Sequence, residues 1–293
     1  MREIDVSEIT ELVKEMCIEA NLFLEEDVKQ ALENAAESET SDTGKSVLAQ
    51  LKENMEIAEN ERIPVCQDTG MAVVFLDVGQ DVHFSGGDIS EAVNEGVRQG
   101  YTEGYLRKSV VSDPIERVNT GDNTPAVIHF DIVPGDKVRI TVAPKGFGSE
   151  NMSRIFMLKP ADGIEGVKQA VIDTALEAGP NACPPFVIGV GIGGDFEKCA
   201  ILAKRALTRS IARDSSEAAD VTDSCSAARP AYADTLEDEL LTRINETGLG
   251  PAGLGGKNTA LSVNVETFPT HIAGLPVAVC ICCHVNRHKV RII

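Results

Sequence analysis

The sequence predicts a mixed α/β (α+β) protein, with a helical N-terminal region over about residues 1–60 and mixed sheets flanked by helices over about 61–293, read as one domain. Three observations predict it. Apolar residues recur at helical spacing through the N-terminal region, strand-length apolar runs alternate with helical patterns after it, and Gly, Pro, Asn and Asp cluster between them. With 293 residues, 43% hydrophobic and 25% charged, the chain is long enough to bury a substantial core and has an ordinary globular composition.

Residues 5 to 60 read as helical: Ile9, Leu12, Val13, Met16 and Cys17 share one face, as do Leu48, Leu51, Met55 and Ala58, and Asp5 with Glu8 resembles a capping box. Cys17 lies on the apolar stripe and reads as core. The run Ala72–Val78 is a strand, and residues 89 to 106 return to helix. Ile128, Phe130 and Ile132, then Val138, Ile140 and Val142, alternate about Pro134-Gly135-Asp136, which predicts a two-stranded antiparallel hairpin. Further on come a helix through Ile164, Val167 and Val171, a strand at Phe186–Val190, a helix over 195 to 213, another through Leu236 to Ile244, and strands near 261–265 and 277–282.

The stretch richest in chemistry is Pro64-Val65-Cys66-Gln67-Asp68-Thr69-Gly70, a thiol beside an amide, a carboxylate and a hydroxyl on a turn before a strand. Either Cys66 is a small buried hydrophobe with Asp68 and Thr69 capping the turn, or a soft metal ligand stands beside acid/base chemistry. Arg107 reads as a solvated helix-end charge or as an anion clamp. Residues 144–151 are either a flexible loop or a backbone cradle with Lys145 supplying charge. Cys183 precedes two prolines, whose rings hold it rigidly.

Eight cysteines without a secretion signal point to reduced thiols or metal ligation. Cys225 sits in a polar stretch with no evident partner. The formal net charge of -19 argues against nucleic acid as a partner and repels anionic substrates at long range, so a few local cations must hold any such substrate. No apolar run reaches the roughly 18 residues of a membrane span, and the start Met1-Arg2-Glu3-Ile4-Asp5 is polar. A cytoplasmic location is expected.

Three rival motifs compete. Gly189-Val190-Gly191-Ile192-Gly193-Gly194 fits G-x-G-x-x-G with Asp214 downstream, but Asp195 and Glu197 would repel a pyrophosphate from the helix that follows. Gly256-Lys257 fails the P-loop pattern at Pro251 and Asn258. Cys280 and Cys283, with His284, are spaced as half a zinc site and have no second pair.

Taken in order, Val65–Gly70, Asn119–Pro125, Gly148–Asn151, Ala182–Pro185, Gly248–Gly256, Thr270–Pro276 and Cys283-His284 resemble the class I, iron–sulfur-dependent fumarate hydratases and tartrate dehydratases, in their alpha subunit or N-terminal half. The resemblance implies a 4Fe-4S cluster on Cys66, Cys183 and Cys283, with one iron open to act as a Lewis acid in reversible conversion of (S)-malate to fumarate; L(+)-tartrate dehydration is the close alternative. It also implies substrate contacts at Gln67, Asp68, Arg107, the Gly148 amide and His271. Asp68 would orient or deprotonate a threonine base from the family's other half. A separate beta subunit, in an assembly of two alpha and two beta chains around a small dicarboxylate, is therefore expected.

Overall fold

The computed structural model describes residues 1–212 and 229–293, and the chain forms two compact units. The first comprises Met1–Leu24, Met55–Phe147 and Arg287–Ile293; the second comprises Glu25–Asn54 and Gly148–Asn286. Among the described residues no helix is long and apolar enough to cross a membrane.

Mixed α/β architecture is what the residues build. The N-terminal region holds strand β1 (Arg2–Asp5) and helices α1 (Val6–Leu22), α2 (Glu26–Ser38) and α3 (Asp42–Glu61). Asp5 caps α1, its carboxylate accepting from the Ser7 amide, and the predicted stripe Ile9, Val13, Met16 and Cys17 is fully buried. In the first unit follow β2 (Met71–Gly79), β3 (Val82–Ser85), α4 (Ile89–Glu103), β4 (Val127–Val133) and β5 (Val138–Lys145). β1 pairs in parallel with β3.

The predicted hairpin of residues 128–142 does not form. β2 lies between its two arms, parallel to β4 and antiparallel to β5, and the last strand of the chain, β10 (Lys289–Ile292), completes the order β10-β5-β2-β4. β2 is buried along nearly its whole length, so it needs a partner on both edges, whereas β4 alternates exposed and half-buried residues and tolerates an edge. Alternation predicted the strands correctly and could not predict their neighbours.

The second unit holds α5 (Phe147–Glu150, which begins at the boundary), β6 (Arg154–Leu158), α6 (Gly163–Ala178), β7 (Phe186–Gly194), α7 (Phe196–Ala206), α8 (Tyr232–Asn245), β8 (Ala260–Thr270) and β9 (Leu275–Cys282). The sheet order is β6-β9-β7-β8. β9 sorts its side chains by alternation: Val277, Val279 and Ile281 join the core formed with α6 and α8, and Ala278, Cys280 and Cys282 join Cys199, Ala203 and Leu207 of the α7 side.

Gly189 and Gly191 lie within β7, not at a phosphate-binding turn. A Cβ at Gly189 would stand 2.1 Å from the Ala203 carbonyl and one at Gly191 2.0 Å from that of Cys199, so these glycines let α7 rest directly on the strand. The N-terminus of α7 is already capped, because the Asp195 carboxylate accepts from the Glu197 and Lys198 amides. The helix predicted over 195 to 213 stops at Ala206, and residues 207–212 are not helical; Asp214 and Cys225 lie outside the described residues.

Gly191→Ala must lift α7 from the sheet. We expect a loss of about 2–3 kcal/mol of stability, read as a lower urea midpoint; an unchanged midpoint would show that the helix does not rest on the β7 backbone.

Candidate active site

In the first unit the Cys66–Gly70 turn joins α3 to β2, and its backbone is held on every side. The Asp68 carboxylate accepts from the Gly70 amide at 3.0 Å and, through its other oxygen, from the Phe147 amide at 2.8 Å. Both oxygens are thereby fixed in direction. The Cys66 thiol donates to the Gln67 side-chain oxygen at 3.5 Å, and its sulfur accepts from the Asp68 amide at 3.4 Å. Gly70, at φ 77°, passes so near the β5 end that a Cβ there would meet the Lys145 nitrogen at 2.7 Å.

The same turn fixes the segment carrying Arg107. The Thr69 hydroxyl donates to the Arg107 carbonyl at 3.1 Å, while the Arg107 side chain is exposed and makes no ion pair among the described residues. The Asn119–Pro125 stretch closes the other side. Buried Asn123 accepts from the Ser109 amide at 2.7 Å and donates to the Gly70 carbonyl at 3.2 Å. Asp122 is structural: burial raises its carboxyl pKa, but bonds from Arg98 and Thr124 outweigh that and hold it at about 2.

In the second unit Cys183 ends a single 3-10 turn, exposed and left-handed at φ 53°, ψ 66°, a conformation uncommon for a residue with a side chain. Its carbonyl lies 3.1 Å from His284 Nδ1 and accepts from the His284 amide at 3.4 Å, which brings the Cys183 turn against the segment carrying Cys283. The Ala252 amide donates to the Pro184 carbonyl at 2.9 Å, so the glycine-rich segment is a buttress for the Cys183 turn.

That segment is itself anchored by Glu39. Its buried carboxylate accepts from the amides of Thr40, Ser41, Lys257 and Asn258 and from the Asn258 side chain. Burial pushes the Glu39 pKa up, but these donors together win and hold it at about 2, against an ordinary 4.5.

The described cysteines divide sharply, and none is in a disulfide. Cys17, Cys199, Cys280 and Cys282 are buried, with burial pushing the Cys17 thiol up to about 12; Cys66 and Cys283 are half-buried and Cys183 is exposed. Burial of Cys280 under α7 leaves no outward C-x-x-C pair for the zinc reading. No three His, Cys, Asp or Glu side chains among the described residues gather to hold a single metal ion. Thiolates of a cluster stand farther apart than that, since each binds a different iron.

Gly148 lies exposed in the first turn of α5. His271 stands elsewhere. It follows Thr270, which pairs with Gly194, whereas Cys282 pairs with Val187 at the other end of β7. At roughly 3.3 Å per residue, that separates His271 from Cys183 and Cys283 by about 20–26 Å along the sheet. Sequence reasoning passed over Tyr101, Asn123, Arg287 and Glu39. Asn123 lay in a stretch already singled out and Arg287 just beyond one, but no local pattern marks Tyr101 or Glu39.

The Cys66–Gly70 turn thus sets a carboxylate locked by two amides beside a thiol, in a mixed α/β chain. A family model described as Fumarate hydratase (Fumerase) matches residues 10–291. A Methanocaldococcus jannaschii protein provisionally named L(+)-tartrate dehydratase subunit alpha is 42% identical over 289 residues, covering 97% of this chain and 96% of that protein. L(+)-tartrate dehydratase alpha subunits of Escherichia coli UTI89 and Shigella boydii are 31% and 30% identical over 286 residues, each covering 96% of this chain and 89% of the relative. The chain belongs to the fumarate hydratase (Fumerase) family, a family of hydro-lyases.

Two measurements check this geometry. In metal-free native protein, iodoacetamide should label Cys66, Cys183 and Cys283 at least about tenfold faster than Cys17, Cys199, Cys280 and Cys282; equal rates would refute the division. Glu39 contributes stability that is fully present above about pH 4.5 and is lost as pH falls towards about 2, by linkage about 3 kcal/mol in all. The stability gap between the native chain and Glu39→Gln should therefore narrow below about pH 4.5, and a gap independent of pH would count against the assignment.

Proposed function

We propose that this chain is the alpha subunit of an iron–sulfur hydro-lyase interconverting (S)-malate with fumarate and water, with a 4Fe-4S cluster on Cys66, Cys183 and Cys283. The division of the cysteines carries the proposal. These three of the described thiols stand outside the core, each in a stretch that matches the family, and thiolates are the ligands such a cluster requires. When bound, a cluster with one open iron supplies a Lewis acid for the substrate hydroxyl.

The chain's own residues do the rest. Arg107, exposed and without an ion-pair partner among the described residues, takes a substrate carboxylate through its planar fork. The Gln67 amide and the Gly148 N–H bind substrate oxygens. Asp68, with both oxygens directed by backbone amides, orients a proton-carrying group that a separate beta subunit brings. His271, at the far end of the second unit's sheet, enters such a site only from a second copy of the chain, in keeping with an assembly of two alpha and two beta chains.

L(+)-tartrate is the second reading, favoured by the names of the relatives above. Both substrates are 2-hydroxydicarboxylates that lose water, so the same residues serve either. Anaerobically prepared alpha chain, assembled with its beta subunit, should contain iron and sulfide and turn over malate and fumarate faster than tartrate. Cys66→Ser, Cys183→Ser and Cys283→Ser should each lose iron while Cys17→Ser keeps it. Equal iron in all four variants would refute the ligand set, and faster tartrate turnover would select the second reading.

A further inference from the structure

Three consecutive peptide carbonyls of the Cys66–Gly70 turn are held by buried side chains remote in sequence. Arg287 donates through Nη2 to the Asp68 carbonyl and through Nε to the Pro144 carbonyl at 3.2 Å. The Tyr101 hydroxyl lies 2.7 Å from the Thr69 carbonyl and 3.0 Å from that of Gly70, which also receives Asn123. Arg287 is 4% exposed, Tyr101 and Asn123 0%.

A neutral donor would suffice to hold a carbonyl. Arg287 instead brings a full charge into the interior, its Nη1 is buried without a hydrogen-bond partner, and no carboxylate pairs with it among the described residues. Such a group costs stability unless it is used. Its charge is felt nearby: burial drives the Tyr101 phenol pKa upward, and Arg287 opposes that shift. By holding the Asp68 and Pro144 carbonyls together, Arg287 joins the peptide that carries the Asp68 carboxylate to the strand end leading to Phe147, whose amide that carboxylate accepts.

We propose that Arg287 is a positioning residue for the hydro-lyase reaction, aiming the Asp68 carboxylate by clamping the backbone on both sides of it while never touching substrate. Its kinetic consequence rests on the functional reading above; the clamp itself does not. Lys at 287 keeps the charge and cannot reach both carbonyls with a planar fork, and Met keeps neither.

The test is hydrogen exchange on the full-length chain, with Arg287→Met, Arg287→Lys and Tyr101→Phe, reading the Gly70 and Phe147 amides against Val74 and Ile140 in the sheet. Arg287→Met should speed exchange at Gly70 and Phe147 by about 10- to 100-fold and leave the sheet amides at native rates. In the assembled enzyme Arg287→Lys should lower kcat by about 10- to 100-fold with KM within about threefold of native. Native exchange at Gly70 and Phe147, uniform acceleration of all four amides in the Met and Phe variants, or local acceleration with unchanged kcat would each overturn the proposal. Absence of turnover in the native assembly, with local acceleration intact, would instead count against the functional reading and leave the clamp standing.

Discussion

The chemistry proposed for the first unit depends on a turn of polypeptide whose backbone is hydrogen-bonded on every side. Cys66, Gln67 and Asp68 are short or exposed side chains on a loop, and loops by themselves do not hold functional groups to the fraction of an ångström that catalysis asks for. Here the constraint comes from below. Buried donors occupy the carbonyls of residues 68, 69 and 70, and amides at 70 and 147 occupy the carboxylate between them. The carbonyls are each met by a buried donor, so the network is directional because it is buried, although Arg287 Nη1 itself is left without a partner.

The second unit solves the same problem with an anion. Glu39 gathers backbone amides of residues 257 and 258, the glycine-rich segment they end leans on Pro184, and Cys183 is kept in a left-handed conformation. A carboxylate reaching five donors stays ionised far below the ordinary range, so its grip does not relax near neutral pH. Beneath this, the bare backbone of Gly189 and Gly191 lets α7 approach β7 closely enough to bury Cys199, Cys280 and Cys282 in one apolar cluster. That burial separates these thiols from Cys66, Cys183 and Cys283, which stand outside the core.

Charge sets the remaining constraint. A chain with formal charge -19 gives an anionic substrate no long-range attraction, so recognition falls to local cations and oriented amides. In the proposed function Arg107 would meet this need, since its backbone is tied to the turn at Thr69 while its side chain is exposed.

Periodicity and turn residues determined most of the elements and the motif order that marks the family, because helix stripes, strand runs and glycine turns are local properties of the chain. Tertiary structure alone decided that β2 would separate β4 from β5, that residues 2–5 and 289–292 would be strands, and that G-x-G-x-x-G would be a packing surface, since each depends on which neighbour an edge or a bare backbone meets. It also decided which cysteines face outward. Cys282 and Cys283 are adjacent in sequence and alike in chemistry, yet one ends a buried strand under α7 and the other begins the next loop. Chain composition states which donors exist, and only packing states which of them lie outside the core.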